Sequence, residues 1–168
     1  MAIPTRVLPG FSAVMYMQTG ASPTPLTTSN LSAYASVSPL AIATAIVPLE
    51  AIPAFGQDDA VASFSVAGSR QSDKIPVQSA PTSMTCVAAW LPSDSDQRTN
   101  LLQLRSDAYS GIVDRTFVIS ATDGTNILYF AFNGRVSQFT VDPAPGAEMQ
   151  ATFTIHPRGN QYGWSNNT

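Results

Sequence analysis

The residues that could do chemistry in this chain are a few carboxylates, one cysteine and one histidine. Paired carboxylates can share a proton or hold a cation, and the sequence offers Asp58-Asp59 and Asp94-x-Asp96, with Asp107, Asp114 and Asp123 standing apart. Adjacent residues on a strand point to opposite faces, so Asp58 and Asp59 cannot converge on one ion, and a solvated turn accounts for them better. The D-x-D spacing at Asp94 and Asp96 occurs in metal-dependent enzymes, but it comes here without a further ligand cluster. Both residues fall at a helix start, where negative charge complements the dipole and Asp94 can serve as the N-cap.

The single histidine, His156, and the single cysteine, Cys86, cannot build a zinc site of standard type. A Ser/His/Asp or Cys/His constellation would have to run through His156, and no strained G-x-S-x-G turn accompanies it. Cys86 lies in the apolar run 86–91 and reads as a small buried hydrophobe. Neither a Walker-type loop nor G-x-G-x-x-G occurs. The expectation is a protein that is not an enzyme, with no catalytic, cofactor-binding or metal-ligating residues and no cofactor.

Composition points the same way. At 168 residues the chain is long enough to bury a core as one domain, expected to span 1–168. The apolar fraction of 44% is that of a globular protein. Charged residues make up only 11%, against a usual share of about 25%. A surface so poor in charge suits a protein that lives in contact with copies of itself. An exported β domain with a Ser/Thr-rich surface is the blander reading. The net charge is −3 and the eight basic residues are scattered, so there is no electrostatic footprint for tight nucleic-acid binding. The start, MAIPTRVLPGF, has no long apolar segment behind a basic region, and the run 39–48 is short and bounded by prolines. The expectation is synthesis in a cytoplasm, no secretion signal and no membrane anchoring.

The elements that must position these residues are mostly strands. Residues 149–155 alternate Met149, Ala151, Phe153 and Ile155 with Gln150, Thr152 and Thr154, the pattern of a strand with one buried face. The strand before it carries Phe130, Phe132, Val136 and Phe139, and Asn133-Gly134 interrupts it as a bulge or sharp bend. DPAPG joins the two. Upstream, strands are expected near 14–17, 60–68, 84–92, 113–120 and 127–132, the last two as a hairpin across Asp123-Gly124. The alternate face of 84–92 is only partly polar, which predicts cover on both sides. One helix is expected at about 95–107, with Leu101, Leu104 and Ala108 at helical spacing and Gly111 as its stop. Loop or arm regions are expected around 18–56 and 69–83, and a flexible tail over 157–168, where Trp164 is left to pack on the body or on a partner. The fold class is mainly β: an antiparallel β-sandwich or barrel with one flanking α-helix.

In this order of elements the chain resembles the major tail tube proteins of tailed bacteriophages. The resemblance runs from about Ser63 to Ile155. It rests on SFSVAGSRQSDKIPVQSAPTSMTCVAAWLPSDSDQRTNLLQL, then RTFVIS, then YFAFNGRVSQFTVDPAPGAEMQATFTI. The F-N-G-x-V-x-x-F segment, followed by an acidic and proline-rich turn and A-T-F-T-I, is its most specific part. Residues 1–56 match no pattern of the family.

The resemblance implies a structural virion protein whose subunits form hexameric rings, stacked into a hollow tube. Double-stranded DNA would pass through the lumen without specific binding. Tape-measure, tail-tip and terminator proteins would be its partners, and the virion tail its location after assembly in the host cytoplasm. On this reading the polar-facing residues near 60–68 and 133–141 line the lumen, and 18–56 and 69–83 contact neighbouring subunits or rings. Two other classes compete: a non-catalytic β-sandwich binding module, recognising carbohydrate or decorating a capsid, and a hydrolase built on aspartates and His156.

Overall fold

A computed structural model describes residues 12–20, 43, 45–65, 72–90, 93–122, 124–143 and 149–167. Among them the chain forms β1 (Ser12–Met17), β2 (Ala45–Val47), β3 (Gln57–Ser65), β4 (Ser72–Pro81), β5 (Met84–Ala89), α1 (Ser95–Ser110), β6 (Arg115–Thr122), β7 (Asn126–Asp142) and β8 (Gln150–Asn167). A six-stranded sheet has the order β2-β1-β6-β7-β8-β5, and β3 and β4 make a two-stranded sheet of their own. Every pairing is antiparallel. The mainly-β antiparallel fold with one flanking helix is therefore as expected.

The large sheet curls until its two edges meet. Just past β2, Leu49 bridges Ala88 of β5. The Glu50 N–H donates to the Val87 carbonyl at 3.0 Å, and the Ala89 N–H to the Pro48 carbonyl at 3.0 Å. Edge groups that would otherwise stand open are paired there. Pro48 fits because only its carbonyl is used. This corrects the expectation of a loop over 18–56: 45–50 belongs to the sheet, while 21–42 and 44 lie outside the described residues.

The core is one face of this sheet. Met15 stands opposite Ile119, Met17 opposite Phe117, Phe117 opposite Phe132 and Cys86 opposite Phe153, so the apolar positions of five strands share a face. Leu101 and Leu104 of α1 are fully buried and belong to the same core cluster. Each such side chain contributes roughly 1.5–3 kcal/mol of hydrophobic stabilisation. The strand covered on both sides is β6, where Arg115 through Ile119 are all buried. In β5, predicted to be covered twice, Thr85 is exposed and Val87 and Ala89 are half-buried, so that face is only partly covered.

The helix begins where predicted. Asp94 Oδ1 accepts the Asp96 N–H at 3.0 Å and the Gln97 N–H at 3.1 Å. It runs past the expected 107 to Ser110 and stops at Gly111, whose φ of 65° is left-handed.

Two expectations are overturned. Residues 72–81, expected as an exposed connection, pair with β3 from Gln57↔Pro81 to Ser65↔Ser72. The prolines at 76 and 81 hid the strand, and a two-stranded ribbon tolerates them because, among the described residues, each strand pairs along one edge. The flexible tail expected at 157–168 is likewise strand as far as Asn167. It covers the first half of β7, with Ala131 opposite Tyr162 and Tyr129 opposite Trp164. Without it β7, 17 residues long, would leave a row of unpaired amides.

The bulge expected at Asn133-Gly134 is not in β7, which pairs with β6 there without a break; the register instead shifts between Ala131, opposite Tyr162, and Asn133, opposite Arg158, and the extra residues lie on β8. Pro157 and Gly159, with φ 70°, sit at this irregularity. A second shift lies between Ser137 and Thr140, and Gln138 within it has a left-handed φ of 55°.

Candidate assembly surfaces

Alternation along β5, β7 and β8 puts the polar residues on the face opposite the core. Ser137 stands opposite Thr154, Thr140 opposite Thr152, Arg135 opposite His156, and Thr85 opposite Thr154. The hydroxyls are tied together. Thr154 Oγ1 donates to Gln138 Oε1 at 3.3 Å, and Thr140 Oγ1 to the Thr152 carbonyl at 3.3 Å.

His156 is the hub of this face. Its Nδ1 lies 2.8 Å from Ser83 Oγ and its Nε2 lies 2.7 Å from Ser137 Oγ. A neutral imidazole donates through one nitrogen and accepts through the other, so each serine hydroxyl has a complementary role. A catalytic triad instead needs a carboxylate on one ring nitrogen to orient the base. Here both nitrogens face hydroxyls. The arrangement ties the β4–β5 connection, β7 and β8 into one surface.

Beside it, Asp114 holds two cations. Arg135 Nε lies 2.6 Å from its Oδ1 and Arg158 Nη1 2.9 Å from its Oδ2. Partial burial pushes the Asp114 carboxyl up, but the hydrogen bonds and charges of Arg135 and Arg158 outweigh this and hold it below the usual carboxylate range. The surface is thus rich in hydroxyls, and much of its positive charge is offset.

Comparison with known proteins bears on the arrangement as a whole. No protein-family model matches the sequence, and no curated protein resembles it. Solved structures do. The sheath/tube terminator of an extracellular contractile injection system (PVC), in its extended state, superposes with a TM-score of 0.58 at 13% identity, covering 96% of this chain and 97% of that one. A chain of the anti-feeding prophage (AFP) baseplate gives 0.58 at 9% identity, covering 97% of each chain. The SPP1 tail tube gives 0.54 at 10% identity, covering 93% of this chain and 77% of that one. The chain has a tail-tube fold.

Within this tail-tube fold the strongest polar contact was missed by sequence reasoning. Arg115 and Asp107 form a bidentate pair at 2.6 and 3.0 Å, with side chains 0% and 2% exposed. Arg115 also donates to the carbonyls of Gln18 and Gly20. Gln103 Nε2 donates to Asp107 at 3.2 Å. The pair joins the end of α1 and the start of β6 to the chain leaving β1. A signal was present: Arg115 is in phase with the core residues Phe117 and Ile119, and Asp107 lies one helical step from Leu104. Two opposite charges on buried phases imply each other.

The other singled-out residues lie apart. Cys86 is fully buried on the core face, and burial pushes its thiol up to about 12. Asp94 and Asp96 are at the helix start, with Asp94 engaged as cap. Asp58 and Asp59 stand in β3 opposite Ala80 and Ser79. Among the described residues no group of three or more His, Cys, Asp or Glu is gathered as for a metal ion. Nor is any described helix long and apolar enough to cross a membrane.

Proposed function

We propose that this chain is a non-catalytic structural subunit of a phage tail or tail-like particle, assembling into hexameric rings that stack as a tube around double-stranded DNA. The observation that carries the reading is the end-to-end likeness to a tube terminator and to a tail tube, with nearly the whole chain superposed. Physical features support it. A stacked ring needs one interface that closes and a second that stays open along the axis. Among the described residues the β3–β4 ribbon pairs only with itself, and its outer edges are candidates for the first. Scarce charge suits extensive self-contact.

The hydroxyl-rich face of β7, β8 and β5 is our candidate for the lumen. DNA must slide past such a wall, and offset charge with many small hydroxyls gives phosphates little to grip. The expected lumen residues 133–141 are on β7 and include Arg135 and Ser137 of this face; 60–65 lie on β3, and 66–68 are outside the described residues. Tape-measure and tail-tip proteins are the partners this role implies.

A second reading is a capping ring. The match in length to the tube terminator, at 97% of that chain, favours it over the partial coverage of the SPP1 tail tube. Negative-stain microscopy of purified protein separates the two: long uniform tubes support the tube subunit, and single rings that never stack support the cap. A persistent monomer at high concentration would sink both and return attention to a binding module.

A further inference from the structure

At one end of the large sheet the core face runs out of bulky side chains. Met15, Ile119 and Phe130 form one row across β1, β6 and β7, and the next row in phase is Ala13, Ala121 and Leu128. Two facing alanines leave space that larger residues fill elsewhere in the core. The result is an apolar socket of about 420 Å³. Pro53 and Phe55 wall another side of it, and the rings of Phe55 and Phe130 meet edge-on with centres 4.9 Å apart. The described residues lining the socket are all apolar, and it reaches the surface where Leu128 is 36% exposed. A dry cavity of about 150 Å³ already takes a benzene ring.

The other end of the same strands carries a matching projection. The buried Asp107–Arg115 pair fixes the end of α1 at the start of β6. Tyr109, in the last turn, is 80% exposed. Ile112, just past the Gly111 cap, is 74% exposed, although an apolar residue there usually folds back onto its helix. Arg115 to Ala121 is about 20 Å of strand, so projection and socket lie at opposite ends of β6. We propose that Tyr109 and Ile112 of one copy enter the socket of the next, a head-to-tail contact between copies of this chain. The inference rests on the tube reading and supplies its open, repeating interface. Charge favours a second copy as the occupant. Beside the projection stands Arg105, its guanidinium 5.4 Å from the centre of the Tyr109 ring. Beside the socket, two residues before Ile52, stands the exposed Glu50, whose carboxylate accepts from the neutral Gln150 amide. Among the described residues neither charge enters an ion pair. Head-to-tail docking brings the cation towards the carboxylate, whereas projection on projection sets Arg105 against Arg105.

The test uses the full chain. Ile112→Cys and Leu128→Cys are made as separate proteins; Cys86, fully buried, does not compete for the cross-link. Mixed under oxidised glutathione, the two should give a disulfide-linked dimer that neither gives alone. Two further variants check the contact without a cross-link, each with wild-type circular dichroism. Tyr109→Ser with Ile112→Ser removes the projection, and Leu128→Glu charges the socket. Each alone should lose stacking in negative stain, and their mixture should form pairs that grow no further, since one keeps a socket and the other a projection. Absence of the mixed disulfide overturns the proposal. So does a disulfide in Ile112→Cys alone, which would mean projection on projection, or wild-type stacking by the Tyr109→Ser, Ile112→Ser variant, which would give the socket another occupant. Tubes that persist in both variants sink this contact and leave the tube reading standing. A mixed disulfide in a protein that never forms rings or tubes upholds the contact and sinks that reading.

Discussion

Arg115 and Asp107 face each other inside the protein with almost no access to water, their side chains 0% and 2% exposed. Eight residues apart in sequence, they bracket the turn from α1 into β6. Desolvating both charges is costly, and the pair is worth having only because its hydrogen bonds are filled. Arg115 spends its remaining donors on the carbonyls of Gln18 and Gly20.

Breaking this pair should be among the most damaging single changes in the chain. Asp107→Asn leaves a buried guanidinium without its counter-charge and should cost about 3–5 kcal/mol in urea unfolding. Asp107→Leu with Arg115→Met removes both charges and should lose distinctly less. Equal loss in the double variant would mean that packing, and not the unpaired charge, sets the penalty.

Gly134 owes its identity to space. A Cβ there would lie 2.9 Å from Ile155 Cγ2 and 3.3 Å from the His156 carbonyl. Gly134→Ala should therefore destabilise by about 1–3 kcal/mol, the usual range for overpacking. Combined with Ile155→Ala, the two losses should be less than additive, since the second change removes the clash. Strict additivity would refute the contact.

Asp114 gives the surface a pH dependence of known sign. Its carboxyl is held below the usual range in the folded state, so its ion pairs stabilise above the unfolded value, near 3.9, and are lost as pH falls through the folded value. Asp114→Asn should be less stable than wild type at neutral pH and converge with it in acid. Arg135 and Arg158 are substantially exposed, so the difference should be smaller than that of Asp107→Asn and should fade in about 1 M salt. A gap that persists in acid would mean that Asp114 acts through something other than its charge.

The lumen assignment is open to a charge test. Thr152→Lys with Thr140→Lys places cations on the hydroxyl face without touching the core. Assembly should continue, while DNA should leave the assembled particle more slowly. The effect should weaken steeply with salt, by a slope of roughly 0.9 per phosphate engaged. Unchanged release with intact tubes would move the lumen to another face.

Local rules made much of this protein readable in one dimension. Asp94 and Gly111 cap their helix through groups only a few residues away, so their roles follow from spacing. Phe153 and Ile155 alternate with Thr152 and Thr154, and alternation alone assigns a core face. Where a residue's partner is distant in sequence, no local rule applies. Tyr162 and Trp164 become strand because β7 needs a partner along its first half, and Pro157 and Gly159 break the pattern that would have announced it. Residues 45–50 read as loop because their partners are distant in sequence: Ala45–Val47 pair with β1, and Leu49 bridges Ala88 of β5 some 40 positions on. His156 has ordinary neighbours in the chain, and only the sheet brings Ser83 and Ser137 to its two nitrogens. Strand periodicity and helix capping are short-range and legible in the residues themselves; sheet order, closure and the buried Arg115–Asp107 pair depend on which backbone groups remain unsatisfied once the chain is folded.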